Sequence, residues 1–336
     1  MAGEATMLRT IAELEAQAGA KPAAIDLKVI DHLDGHARRW LRASPLAFAA
    51  FSDAQRIDVT IAGDKPGFAA ALDENRLLLP RSAMDDPAQA RQGCGVGLLF
   101  LVPGIGETLR INGSVANADG ETLVIAVQEC YLHCAKALLR SDFWQPAQLA
   151  SDGVAGFLQS SRFMALATAD TVLNTDLSPR GDPAGLLALS YEGGIRFADR
   201  PGNRRTDSLR NMLERPHASA LLIVPGHAQV VHVQGMVSIS ADLRLRQPFT
   251  VRGKLPKLVT SIASSSAELR DSNALARALP WVAISPPADI DPAAIFAAHV
   301  KLHKARGMGA LVAKGLVSIP SLMRKSLDAD YKRNLY

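Results

Sequence analysis

Several signatures that would settle a function quickly are missing from this 336-residue chain. No Gly-x-Gly-x-x-Gly follows a strand-like run, no glycine-rich loop ends in Gly-Lys-Ser/Thr, and neither His-Glu-x-x-His nor Gly-x-Ser-x-Gly occurs. These absences argue against the common dinucleotide folds, nucleoside triphosphatases, zinc proteases and serine hydrolases. Cysteine is scarce: three residues, an odd number, with Cys130 and Cys134 one helical turn apart if that stretch is helical. That pattern excludes a disulfide framework and fits a reducing compartment. Long apolar runs are missing too. The longest, Leu98 to Pro103 and Ala220 to Pro225, are far too short to span a bilayer. No charged start, apolar stretch and small-residue cleavage site opens the sequence, so a soluble, cytoplasmic protein is expected.

What is present is globular in composition: 48% hydrophobic and 21% charged residues, in a length sufficient for two domains with their own cores. The net charge of +4 is uneven. Between Val300 and Tyr336 eight Lys or Arg face two Asp, which leaves the rest of the chain about two charges negative. A basic tail can touch nucleic acid or anionic lipid. Gly307, Gly309, Gly315 and Pro320 interrupt this one, and no aromatics interleave it for base stacking. A helical appendage packed on the body is the stronger expectation, with neither nucleic acid nor membrane as partner.

The chain also contains one pattern twice. Gly97-Leu98-Leu99-Phe100-Leu101-Val102-Pro103-Gly104 is answered by Ser219-Ala220-Leu221-Leu222-Ile223-Val224-Pro225-Gly226. Upstream, Gly63, Asp64 and Gly67 match Gly181, Asp182 and Gly185; downstream, Leu138-Leu139-Arg140 and Trp144 match Leu275-Ala276-Arg277 and Trp281. A period of roughly 120 residues exceeds solenoid and propeller repeats and signals two related domains in tandem. Decay is complementary. Copy two alone has Asn203-Arg204-Arg205, and copy one alone has His133-Cys134-Ala135-Lys136. Loss of opposite halves of a site from two copies is expected if both domains build one shared site.

Short β-like runs separated by Gly, Pro and Asp dominate from Leu46 onward, and they predict barrel-like antiparallel domains instead of a parallel doubly wound sheet. Expected boundaries are a helical N-terminal extension over 1–40, a first copy over 41–147, a second over 148–285 and a basic helical tail over 286–336. A helix is expected from Gln128 to Phe143, where His133, Lys136 and Arg140 would share a face. The Thr108, Arg110 and Asn112 side chains should share one face of a strand. Arg204 and Arg205 follow the Pro201-Gly202 turn at a helix start, where free N–H groups, the helix dipole and guanidinium forks suit a phosphate. They could equally pair with Asp199 and Asp207 on the surface. A metal site from Cys130, His133 and Cys134 is conceivable, although small core residues are the commoner use, and no metal is expected.

Taken together, Ser178-Pro179-Arg180-Gly181-Asp182-Pro183, Asp199 to Arg205 with Asp207-Ser208-Leu209, Glu107 to Arg110 with Asn112-Gly113, and His133 to Ala137 with Arg140-Ser141 and Trp144 carry a family likeness. Over roughly residues 25–285 the chain resembles the flavin-nucleotide-binding branch of the pyridoxamine 5'-phosphate oxidase-like split-barrel superfamily. The resemblance implies an α+β fold of two tandem split β-barrels forming an intramolecular pseudo-dimer. Relatives place FMN between two one-barrel chains. By resemblance Asn203, Arg204 and Arg205 would hold the FMN phosphate, with Ser178, Arg180 and Ser208 nearby, while Arg110, Asn112, His133, Lys136, Arg140 and Trp144 approach from copy one. Copy one has Thr60-Ile61-Ala62 for Ser-Pro-Arg and Pro80 to Gln92 for the arginine loop; copy two has Ala267 to Arg270 for His-Cys-Ala-Lys. One intact site is thus expected. The implied activity is an FMN-dependent oxidoreductase acting on a small-molecule redox substrate or electron donor, with His133 as the candidate for proton transfer near neutrality. A flavin carrier, or haem binding through His133 or His232, are the alternatives on the same fold. The resemblance also allows a homodimer of two-barrel chains.

Overall fold

The computed structural model describes residues 7–202, 205–264, 267–282, 285–303, 329, 331, 335 and 336. A two-residue strand, β1 (Met7–Leu8), precedes β2 (Leu46–Ser52), β3 (Ile57–Gly63), β4 (Ala70–Ala71), β5 (Arg76–Pro80), β6 (Gly95–Leu101), β7 (Thr108–Asn117) and β8 (Thr122–His133). Then follow β9 (Phe163–Ala169), β10 (Thr175–Gly181), β11 (Leu189–Tyr191), β12 (Gly194–Ala198), β13 (His217–Ile223), β14 (Gln229–Ser240), β15 (Val259–Ala263) and β16 (Glu268–Asp271). They form two antiparallel sheets. The first runs β3-β2-β6-β7-β8-β5-β4; the second runs β10-β9-β13-β14-β15-β12-β11, with β1 and β16 added against β14. Each strand of the first order corresponds to the strand seven places later in the second. With the short helices α1 (Ile11–Ala18), α2 (Gly35–Ala43), α3 (Lys136–Ser141), α4 (Gly153–Ser160), α5 (Asp207–Glu214), α6 (Leu243–Arg246), α7 (Asn273–Ala278) and α8 (Pro292–Leu302), the architecture is the α+β split-barrel fold.

The repeated apolar runs owe their lack of alternation to burial on both faces. In β2, Ala47, Ala49 and Phe51 enter the core of the first sheet, while Leu46, Phe48 and Ala50 enter a cluster between the sheets. In β9, Met164 and Leu166 enter the core of the second sheet, while Phe163, Ala165 and Ala167 meet that same cluster from the other side. Phe48 and Phe163 touch across it, their ring centroids 5.4 Å apart. This layer joins the sheets as firmly as a domain core.

Two helices lock the layer by exchange. Helix α3 (Lys136–Ser141) follows β8 but packs on the end of β10, and α7 (Asn273–Ala278) follows β16 but packs on the end of β3. Arg140 Nε donates to the Gly181 carbonyl at 2.8 Å, and Arg277 Nε donates to the Gly63 carbonyl at 3.2 Å. Both helices end in a left-handed residue that is not glycine, Asp142 and Leu279. Since Arg140 and Arg277 play matching parts, His133 to Lys136 corresponds to Arg270 to Asn273, three residues beyond the expected Ala267 to Arg270.

Two further expectations differ from the structure. The stretch from Gln128 is not helical: it completes β8 through His133, and only Lys136–Ser141 forms α3. Tyr131 and Leu132 are buried on opposite faces of that strand, an apolar run that helical spacing imitates. The N-terminal segment is not wholly helical, because Met7 and Leu8 pair with Ser240 and Ile239 of β14 before the helix Ile11–Ala18 begins. Of the tail, the helix Pro292–Leu302 packs on the first sheet, with Ile295 in its core. Most of the remainder lies outside the described residues.

The exchange leaves no room at its contact points. A Cβ on Gly181 would lie 1.9 Å from the Ala137 carbonyl oxygen. Gly181→Ala should therefore cost about 1–3 kcal/mol and lower the melting temperature by several degrees in a thermal unfolding scan. Gly35→Ala, whose Cβ meets only an Arg39 side-chain end at 3.9 Å in the first turn of a helix, should cost nothing. Equal behaviour of the two variants would contradict the tight docking.

Candidate functional site

A cavity of about 650 Å³ opens where α3 meets the second sheet. The first sheet supplies Arg110 from β7 and His133 from the end of β8, and α3 supplies Lys136 and Arg140. The second sheet supplies Ser178 and Arg180 from β10, while Arg205 and Ser208 come from the turn and the start of the helix Asp207–Glu214. Eight of the twelve residues expected at the site thus line one cavity. Asn203 and Arg204 lie outside the described residues. Asn112 stands behind the wall, and Trp144 is elsewhere. Its indole N–H donates to the Ile105 carbonyl at 2.8 Å and its ring meets Phe143 edge-on in the inter-sheet layer, so it does not line this cavity.

The floor is set by a polar node that crosses between the sheets. Arg110 is fully buried and pairs with Asp176 of β10. Asn112 Nδ2 donates to Asp176 at 3.2 Å and to Glu129 at 2.8 Å, and Asn211 Nδ2 donates to the other Asp176 oxygen at 3.1 Å. Thr108, Arg110 and Asn112 do share a strand, as their spacing predicts, but Arg110 and Asn112 turn inward to this carboxylate.

Charge in the cavity is strongly positive. Among its described lining residues, eight Lys or Arg stand against Asp199 and Asp207. Arg205 Nε donates to Asp207 at 2.7 Å, its Nη1 lies 3.1 Å from Asp26, and its guanidinium stacks over the Tyr131 ring at 4.6 Å. Arg180 donates to the Ser208 hydroxyl at 2.6 Å and lies 3.4 Å from Asp199. Thr206, at the cap position of the helix Asp207–Glu214, makes no side-chain capping bond, which leaves that helix start open to an anion.

The expected proton-transfer role of His133 meets a physical obstacle. Burial, reinforced by Arg110, Lys28 and Arg205, pushes its imidazole well below the usual histidine range, so it is neutral at physiological pH. Its Nδ1 is buried without a partner among the described residues. Cys130 sits in the core of the first sheet, where burial pushes its thiol up, and β-strand alternation points it away from His133. Among the described residues no group of three or more His, Cys, Asp or Glu could hold a metal ion.

Sequence reasoning missed Lys21, Asp26 and Lys28, which come from the N-terminal segment. Lys21 pairs with Asp26 and Asp207, each at 3.1 Å, and Lys28 Nζ donates to the Leu132 carbonyl at 2.6 Å. No local pattern announces them; the pairing of β1 with β14 and the bridge from Ile30 to Cys130 of β8 hold that segment here.

The position related by the exchange of helices is built differently. There the segment Arg81 to Ala90 folds inward: Asp85 accepts from Ser272 Oγ and from the Ala274 amide, capping α7, and the Thr60 hydroxyl accepts from the Asp86 amide. Arg81 donates to the carbonyls of Pro87, Ala90 and Ala118. His232, which stands for Arg110, bonds Ser219 Oγ at 2.9 Å, and burial pushes its imidazole down to about 4.

Residues 150–282 match the family model of pyridoxamine 5'-phosphate oxidase. Over that stretch the chain is similar to that family. The family segment covers the whole second sheet except β1, and the match does not extend to the first. No curated protein matches the chain at a significant level. Among solved structures, HupZ of Group A Streptococcus is similar at 13% identity over 34% of this chain and 93% of its own, with a TM-score of 0.29. HutZ, the haem storage protein of Vibrio cholerae, is similar at 10% identity over 34% of this chain and 89% of its own, with a TM-score of 0.25. An F420 reductase shows 17% identity over 37% of this chain and 96% of its own, also at a TM-score of 0.25. No helix among the described residues is long and apolar enough to cross a membrane.

The buried Lys28 makes stability depend on pH. Burial pushes its ammonium down to about 8, whereas the unfolded chain titrates near 10.5. Below pH 8 both states are charged and the folded state carries the full cost. Between about pH 8 and 10.5 the unfolded state binds more protons, so this contribution to stability rises with pH. Relative to Lys28→Met, wild type should gain on the order of 3 kcal/mol across that window in denaturant titrations. A wild-type-minus-variant difference that stays flat with pH would show the ammonium to be solvated.

Proposed function

We propose that the chain is a tandem of two split-barrel copies that binds one FMN between them and acts as an FMN-dependent oxidoreductase. The cavity carries this reading: it is single-sided, cationic, lined by both halves of the chain, and within the ~300–1,000 Å³ typical of small-molecule sites. Its residues suit the cofactor. The open start of the helix Asp207–Glu214, with Arg180, Arg205, Ser178 and Ser208, matches a phosphate dianion. Arg180 Nε and His133 Nδ1 are buried without partners among the described residues and would find them in a bound ligand. When bound, the flavin supplies the redox chemistry. The chain's residues bind, orient and exclude water, and the neutral His133 offers a hydrogen bond and no proton at neutral pH. The filled counterpart at Arg81 to Ala90 supports one site per chain.

The first test is stoichiometry. Flavin released by denaturation should equal the protein in a one-to-one ratio, whereas two per chain would refute the asymmetry, and a Soret band in place of the flavin bands would replace FMN by haem.

The second test is the phosphate. Arg180→Ala combined with Arg205→Ala removes two charge-assisted contacts, so FMN affinity measured by fluorescence quenching should fall at least about a hundredfold. Riboflavin, which lacks the phosphate, should bind wild type and variant alike. Arg91→Ala, which removes an exposed pair with Asp53, should change neither. An equal loss of riboflavin binding would place the arginines' effect on the fold and not on the phosphate.

A further inference from the structure

The cavity is partly occupied by the chain's own last residues. Tyr336 lines it, and its ring lies between two guanidinium groups, 5.8 Å from Arg200 and 5.5 Å from Arg252. The backbone of the same segment takes up cations: Lys254 Nζ donates to the Tyr336 carbonyl at 2.6 Å, and Arg140 Nη1 donates to the Leu335 carbonyl at 2.9 Å. Five residues earlier, the Tyr331 hydroxyl donates to Glu107 at 2.9 Å and accepts from the Ala135 amide, beside the start of α3.

These cations are built for more than a peptide carbonyl. The Arg200 side chain is 94% buried; its Nε donates to Asp182 at 2.6 Å and its Nη1 to the Phe249 carbonyl at 2.7 Å, which fixes the guanidinium rigidly. Its Nη2 is buried with no partner among the described residues. Arg252 and Lys254 sit on a tight turn with positive φ at Arg252 and Gly253, and Val251 bridges Lys254 across it, so the turn holds both cations toward Tyr336. This group lines the same cavity as the helix start at Asp207–Glu214 but is supplied by other elements. The segment offers these donors only backbone oxygens, and Arg200 Nη2 finds no partner among the described residues. An oxyanion could take the same donors and Arg200 Nη2 together.

We propose that Arg200, Lys254 and Arg140 form a second oxyanion subsite for a phosphate- or carboxylate-bearing small molecule, and that Leu335–Tyr336 is an intramolecular plug which this ligand must displace. The plug makes the apparent affinity lower than the intrinsic one by the fraction of time the subsite is open. The inference stands whether or not the same cavity also holds FMN.

The test titrates wild type, Tyr336→Ala and a chain lacking Leu335 and Tyr336 with inorganic pyrophosphate and with succinate by calorimetry, in the presence of excess FMN to fill the phosphate position. If the plug is seated about nine-tenths of the time, both variants should bind one of the two anions about tenfold more tightly than wild type. Which anion responds identifies the ligand's charged group. Lys254→Ala in the shortened chain should reverse the gain. Affinities equal to wild type in both variants, or weaker than wild type, would overturn the plug; a gain that survives Lys254→Ala would overturn the assignment of the subsite. Failure of FMN to bind would overturn the flavin reading alone, since the same titration can then be read on the flavin-free chain.

Discussion

The ion pair between Arg110 and Asp176 is the constraint around which the rest is arranged. Arg110 belongs to the first sheet and Asp176 to the second, and both are withdrawn from water. A buried guanidinium is tolerated only with its carboxylate in place, and removing one partner of such a pair costs about 3–5 kcal/mol. Asn112 donates to the same Asp176 oxygen as Arg110, and Asn211 donates to the other. The node therefore fixes the register of the two sheets at the cavity floor, where purely apolar packing would tolerate sliding.

From that register the asymmetry of the molecule follows. The sheets have corresponding strand order and exchange helices by corresponding contacts, Arg140 to Gly181 and Arg277 to Gly63. Yet one side holds a cavity and the other holds the folded segment Arg81 to Ala90. The difference comes down to a few side chains. Ser178 faces a cavity, while Thr60 accepts a bond from an inward-folded backbone. Asp176 pairs with an arginine, while on the other side the arginine's place is taken by His232, neutral and turned to Ser219. That side therefore differs from the cavity in both its charge at the arginine's place and its filling.

Much of this was legible in the residues. The Pro-Gly turns and paired apolar runs identified the two strand sets, because burial on both faces leaves a continuous apolar signature. The cationic side chains of the cavity were legible because Arg and Lys beside turns and helix starts are costly without an anionic partner. What misled was local. The run from Gln128 to His133 carries apolar residues at spacings that suit a helix, and only the ladder with β7 decides for a strand. Trp144 looked like a ring wall, but tertiary packing gave its N–H a carbonyl in the inter-sheet layer. Lys28, Asp26 and Tyr336 were invisible for another reason. They come from opposite ends of the chain, Tyr336 to the cavity and Lys28 and Asp26 to Leu132 and Arg205, through contacts across more than a hundred residues, and such contacts leave no periodic trace.

The inter-sheet layer has a consequence for assembly. Because Phe48 and Phe163 meet within a single chain, bringing the sheets together is a unimolecular event, governed by a tether and not by concentration. The connection between α3 and β9 holds the halves at an effective concentration of order millimolar or above, so dilution cannot separate them. A pair made of identical chains must keep every residue compatible with both sides of its symmetry axis. Here each half answers to one partner alone, and a substitution that ruins one face has no obligatory echo on the other.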